Sequence, residues 1–180
     1  QKIKLEKTPV IFVSGHFSNF ELMAMEIEKS GVNLSAIYRP LNNIFLNILM
    51  ERIRKKYICK NQIKKGTSGV RELLRLYKKG YSIALMIDQR VSQGIKSKFF
   101  NEEAFTTTIP AQFIKKFNCK VVPISIERHN GVNFNIKVEK PMEFSKNSST
   151  EKITRELNIW LEKIILKNPG EWIWSHDRWK

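Results

Sequence analysis

Short apolar runs rich in β-branched residues recur along this chain, each followed by a stretch with helical spacing, and that alternation constrains the fold more than any other feature. Val10–Val13, Leu34–Tyr38, Ser82–Ile87 and Val121–Ile126 have the length and composition of buried strands. Between them the apolar spacing changes. A helix is predicted from about Ser18 to just before Gly31, with Leu22 and Met25 on one side. A second, amphipathic helix carries Ile44, Phe45, Ile48, Leu49 and Ile53 on one side. Ser68 caps a third that runs to Lys79 and stops at Gly80. Lys98–Phe100 reads as a short extended piece. Thr108 and Pro110 open a helix through Phe117, and Asn133–Val138 alternates as a half-buried antiparallel strand does. Ser148 and Glu151 form a capping box for a last helix that turns Ile153, Leu157, Leu161 and Ile164 inward and ends at Asn168-Pro169. The sum is an α/β fold, a mixed, mostly parallel central sheet flanked by helices, in one domain over residues 1–180.

Composition narrows the function classes. At 180 residues, 42% hydrophobic and 27% charged, the chain can bury a core and is neither disordered nor fibrous. Lys and Arg number 32 against 17 acidic residues, a formal charge of +15, which favours anionic partners. Eleven of those cations and only two acids lie between Glu51 and Gly80. Phosphorylated lipid, an anionic leaflet or an acidic carrier protein would be drawn to that stretch, and a merely solvated face fits it as well. Nucleic acid would suit the charge, but no helix-turn-helix, RNA-recognition or zinc-finger pattern accompanies it. Cys59 and Cys119 make neither a disulfide framework nor a metal spacing. No apolar run is long enough to span a bilayer, and the start at Gln1 suggests a piece of a longer protein.

The sharpest local signal is Gly15-His16-Phe17-Ser18-Asn19-Phe20-Glu21. Within one continuous helix, residues five apart point about 140° away from each other. If His16 sits instead in the turn before the helix, it can fold back toward Glu21. A carboxylate there would hold the imidazole tautomer and stabilise the imidazolium, making a base and its orienter. Taken alone, H-x-x-x-x-E equally describes a histidine and a glutamate that merely begin a helix.

Further segments occur in an order that resembles one family. After Val10–His16 come Tyr38-Arg39-Pro40-Leu41-Asn42-Asn43, Ala84-Leu85-Met86-Ile87-Asp88-Gln89, Phe99-Phe100-Asn101, Thr106-Thr107-Thr108-Ile109-Pro110-Ala111, Val121-Val122-Pro123-Ile124 and the ending from Trp172 to Lys180. In this the chain resembles the bacterial lipid A late acyltransferases of the lauroyl/myristoyl type, within the wider glycerolipid and lysophospholipid acyltransferase superfamily. It departs from the family pattern at Asn101, where a glycine is usual, and at Ile109, where another often follows the threonines.

The resemblance implies a glycerolipid-acyltransferase-like fold and transfer of a fatty acyl chain from a carrier thioester to a hydroxyl of a lipid A precursor. His16 would deprotonate that hydroxyl with Glu21 as its partner carboxylate, and no acyl-enzyme, cofactor or metal would be needed. Arg39, Asp88, Gln89, Thr107 and Arg178 are the substrate-binding candidates. Arg39 would fork onto a phosphate or steady an oxyanion, and Asp88 and Gln89 follow a strand end where open α/β sheets place ligands. A solvated Arg39, a turn-forming Asp88 and a helix-capping threonine run are the plainer alternatives, as is a packing role for Trp172, Trp174 and Trp179. The implied partners are an acyl-acyl carrier protein or acyl-CoA donor, a phosphorylated glycolipid acceptor and an anionic membrane surface. The implied location is the cytoplasmic face of a bacterial inner membrane, reached through an upstream hydrophobic anchor. A lysophospholipid or other glycolipid acceptor, and a non-catalytic lipid or nucleic-acid binder, are the competing readings.

Overall fold

The computed structural model describes residues 8–180, so the chain start at Gln1 lies outside it. Among the described residues, eight strands and five α-helices alternate much as the sequence requires. Six strands form one mostly parallel sheet in the order β3-β2-β4-β1-β7-β8, where β1 is Ile11–Ser14, β2 Leu34–Tyr38, β3 Asn61–Lys64, β4 Ser82–Met86, β7 Val121–His129 and β8 Asn133–Val138. The mixed α/β expectation holds. The residues group into two compact units, one comprising Glu21–Leu85 with the stretch up to Phe12, the other Val13–Phe20 with Met86–Lys180.

In the first unit, β2 pairs in parallel with β3 on one side and β4 on the other. Leu34, Ser35 and Tyr38 of β2 are buried, as a strand between two neighbours requires. Helix α1, Glu21–Lys29, buries Met23, Ala24 and Ile27 rather than a face centred on Leu22 and Met25. It begins at Glu21, not Ser18, because Ser18 has φ 45, outside the right-handed helical region. Helix α2, Ile44–Ile53, is capped by Asn43, whose side chain accepts from the Leu46 amide, and it runs on into a π-helical turn over Arg54–Ile58. None of its residues is buried. Helix α3, Thr67–Lys78, buries Leu73, Leu76 and Tyr77.

In the second unit, β7 and β8 pair antiparallel through a turn at Asn130 and Gly131, both at positive φ. Strands β5, Ile95–Phe99, and β6, Glu102–Thr106, form a separate antiparallel hairpin where the sequence indicated only one short extended piece. Its two-residue turn holds Phe100 at φ 52 and Asn101 at φ 66. Asparagine tolerates that left-handed conformation better than most residues, which is why it can stand where a glycine is usual. Helix α4, Ile109–Phe117, has Thr108 at its cap and Pro110 in its first turn. Helix α5, Thr150–Lys167, is capped by Ser149, one residue later than expected, and buries Ile153, Leu157, Leu161 and Ile165. Among the described residues no helix is long and apolar enough to cross a membrane.

Candidate functional site

Strands β1 and β4 set the site. The Ile83 amide donates to the Val10 carbonyl, and the Ile87 amide donates to the Ser14 carbonyl. Equal spacing along both strands makes them parallel neighbours. His16 and Asp88 each stand two residues past the end of their strand, and neighbouring strands lie roughly 4.8 Å apart. The two side chains therefore meet. His16 Nδ1 is 2.8 Å from Asp88 Oδ1, and the His16 backbone amide donates to Oδ2 at 2.7 Å. The carboxylate thus grips both the ring and the backbone of the same residue.

A second strap holds this turn from the C-terminal side. Phe17 and Trp172 form an antiparallel bridge, the Ile173 amide donates to the His16 carbonyl, and the Ser18 amide donates to the Glu171 carbonyl. Trp172, 4% exposed, donates its Nε1–H to Asp88 Oδ2 at 2.9 Å. Gly15 is required by crowding: a Cβ there would lie 2.8 Å from the Phe17 ring and 3.3 Å from Asp88 Oδ2. Phe20 packs edge-on against the imidazole, with ring centroids 4.7 Å apart.

Asp88 is 3% exposed. Burial on its own would push its carboxyl up, but the hydrogen bonds from His16 and Trp172 and the charge of the imidazole outweigh it. The group is held below its ordinary value and is ionised. An ionised acceptor on Nδ1 fixes the tautomer in which Nδ1 carries the proton and Nε2 the lone pair. His16 keeps 18% of its side-chain surface exposed, and among the described residues no hydrogen bond engages Nε2. A buried anion, an oriented imidazole and an open basic nitrogen can take a proton from a hydroxyl.

The carboxylate that meets His16 within its own unit is that of Asp88, a partner that the H-x-x-x-x-E spacing does not indicate. Glu21, in the first unit, is the opening residue of α1 and accepts from Arg54 Nε and Nη2 at 2.7 Å each, an ion pair with both side chains mostly buried. Arg39 is exposed at the C-terminal end of β2. Beside it the Tyr38 hydroxyl donates to Glu51.

The remaining candidates belong to the second unit. Gln89 is half-buried in the bend after Asp88. The Thr107 hydroxyl accepts from the Ile109 amide at the start of α4, so it serves the helix end. Arg178 is fully buried. Its Nη1 donates to the Phe105 carbonyl, its Nη2 to Thr106 Oγ1, and its guanidinium lies 5.0 Å from the Phe99 ring centroid. Burial, partly opposed by the charge of Asp88, pushes its pKa down to about 10. In the aromatic tail Trp172 is buried whereas Trp174 and Trp179 stay exposed; Trp179 donates to the Phe99 carbonyl, and His176 accepts from the Arg90 amide. What the sequence reading missed was Trp172 as a donor to Asp88, a contact spanning 84 residues.

Neither cysteine suits a nucleophile. Cys59 is 1% exposed and Cys119 6%. Burial, aided by Glu28, pushes the Cys59 thiol up to about 12. Among the described residues no cluster of three or more His, Cys, Asp or Glu side chains could hold a metal.

Residues 1–180 match the family described as bacterial lipid A biosynthesis acyltransferase. Over 178 residues the chain is 24% identical to a lipid A biosynthesis acyltransferase of Haemophilus influenzae (strain ATCC 51907 / DSM 11121 / KW20 / Rd). The match covers 97% of this chain and 57% of that relative, so the chain spans a little over half its length.

Proposed function

This chain belongs to the bacterial lipid A biosynthesis acyltransferase family, and from that premise we propose that it carries the catalytic centre for moving a fatty acyl chain from a thioester donor to a lipid hydroxyl. The observation that supports the reading most is the His16–Asp88 pair at the ends of β1 and β4. His16 Nε2 takes the proton of the acceptor hydroxyl as its oxygen attacks the thioester carbonyl. Asp88 keeps the ring oriented and offsets the positive charge that develops on it. The tetrahedral intermediate collapses by expelling the thiolate, and the imidazolium returns the proton to that sulfur. No acyl-enzyme is required, because a thiolate is already a good leaving group. The buried thiols agree with direct transfer.

In this reading Glu21 acts through Arg54 rather than on the imidazole. Arg39, exposed beside Tyr38, is a candidate for a phosphate of the acceptor or of the donor. The acceptor we favour is a phosphorylated glycolipid of the lipid A type, with an acyl carrier protein or CoA thioester as donor. The reaction would take place at the cytoplasmic face of the inner membrane. The strongly basic composition suits all three anionic partners. Incubation with an acyl carrier thioester and a panel of acceptors, read by mass spectrometry of the lipid, tests the proposal. One added acyl chain on a lipid A precursor is the expected result. Acylation confined to lysophospholipids would replace the acceptor, and no transfer to any acceptor would remove the activity.

A further inference from the structure

Helix α2 is built inside out. Taking about 100° per residue, Ile44, Ile48, Phe45, Leu49, Ile53 and Leu46 fall within one arc of roughly 200° on the helix. Every one of them is exposed, Phe45 at 83% and Ile44 at 73%. The opposite face carries Asn47 and Glu51, and that polar face is the anchored one. The Tyr38 hydroxyl and the Asn47 side-chain amide both donate to Glu51 Oε1, at 2.5 and 2.8 Å. Asn47 Oδ1 accepts from the Leu41 amide, and just past the helix Arg54 is tied to Glu21. With its polar side bonded to the protein, the helix can cover its apolar side only with something from outside.

What would cover it is indicated by the charge around it. Arg52 stands exposed within the apolar arc, and Lys55 and Lys56 project from the π-helical turn that follows. That turn borders an open hollow of about 350 Å³ whose lining includes Lys29, Lys55, Lys56 and Lys60. An apolar helix face rimmed by cations suits a surface that is hydrocarbon beneath and anionic above. We propose that α2 lies in the plane of an anionic lipid bilayer, with Ile44, Phe45, Leu46, Ile48 and Leu49 among the acyl chains and the lysines of the adjoining turn at the headgroups. The choice of a bilayer as occupant rests on the lipid acylation proposed above. The inference adds the element that docks the chain on that bilayer.

The test uses the 180-residue protein and vesicles of equal parts phosphatidylglycerol and phosphatidylcholine, with pure phosphatidylcholine as the uncharged arm. The parent should co-sediment with the mixed vesicles, and more weakly with the uncharged ones. The Phe45→Ser/Leu49→Ser double variant should lose about a hundredfold in partitioning, since two large side chains no longer leave water. Leu166→Ser, at an exposed apolar position on α5, should partition as the parent does. An environment-sensitive fluorophore on Leu46→Cys should shift to the blue on mixed vesicles. Equal partitioning of parent and double variant would overturn the proposal. So would a concentration-dependent dimer of the parent that the double variant abolishes, which would assign the face to a second copy. Acyl transfer measured in parallel on detergent-dispersed acceptor separates the two claims. Retained turnover there, with loss on vesicles, supports docking by α2, whereas absence of transfer by both proteins fails the catalytic reading and leaves the partitioning result to decide this one.

Discussion

Replacing Asp88 by Asn keeps the shape of the side chain and removes its charge. The carboxylate accepts three hydrogen bonds, from the His16 ring, the His16 amide and the Trp172 indole. An amide has one accepting oxygen; turned to the His16 amide and the Trp172 indole, it leaves its NH₂ facing His16 Nδ1, which can accept only in the tautomer that puts the proton on Nε2. Hydrogen bonds to a charged group contribute about 1.5–3 kcal/mol each, and relief of the buried charge offsets part of their loss. A net destabilisation of about 2 kcal/mol is expected, leaving the protein folded at room temperature. Activity should suffer far more. Without the anion, the imidazole is neither held in its Nδ1–H tautomer nor balanced as it gains a proton, and turnover should fall by about 10²–10⁴-fold. The pH dependence supplies a second readout. The folded-state pKa of Asp88 lies below its ordinary value. Its stabilisation is therefore complete above the unfolded pKa of about 3.9 and is lost as pH falls through the lower folded value. Denaturation midpoints measured from pH 6 downward should drop for the parent below about pH 4, and less for Asp88→Asn. The assay is single-turnover transfer from an acyl thioester, quantified as acylated lipid. A folded Asp88→Asn protein within about threefold of the parent rate would refute the pairing as a catalytic one.

The other contacts make further demands. Trp172→Phe keeps the packed ring and deletes one donor to Asp88, so it should lower kcat by about tenfold with KM little changed; a change confined to KM would make Trp172 a substrate contact instead. Cys59→Ser and Cys119→Ser, singly or together, should keep full turnover, and trapping an acyl-cysteine that turns over at the catalytic rate would contradict direct transfer. Glu21→Ala and Arg54→Ala should each cost about 1–2 kcal/mol in denaturant titrations, with a double variant costing less than the sum, because each alone leaves the other's charge half-buried; strict additivity would show that the pair contributes nothing.

The sequence made the alternation of elements legible because strand burial and helical spacing are local, whereas the cap positions shifted: Gly66 rather than Ser68 caps α3, and Ser149 rather than Ser148 caps α5. β2 coincides with the apolar run, and β8 with the alternating segment, that suggested them. β3 stayed hidden because Asn61–Lys64 has a single buried residue, Ile63, and takes its strand geometry from pairing with β2. Helix α2 shows the limit of periodicity: the spacing identified the apolar face but not the direction in which it points. That direction is decided by Tyr38 and Glu21, which hold Glu51 and Arg54. The site followed the same rule. His16 stood out through its glycine and its place after a strand, whereas its carboxylate lies 72 residues away and meets it only through adjacent strand ends. The nearer Glu21 was the more visible candidate for that reason. The place of Asp88 at a strand's end is visible in the sequence, but its partner is not.

The measurement that bears most directly on the central claim is the single-turnover rate of a His16→Ala protein whose fold is verified by its denaturation midpoint. The His16 side chain is 18% exposed, packs against Phe20 and is bonded to Asp88, so its removal costs some stability but leaves the apolar core of the sheet untouched. The account predicts a stable protein whose transfer rate falls by about 10²–10⁴-fold, with no acylated lipid above background on the parent's time scale. A folded His16→Ala protein that acylates its acceptor at near the parent rate would contradict it.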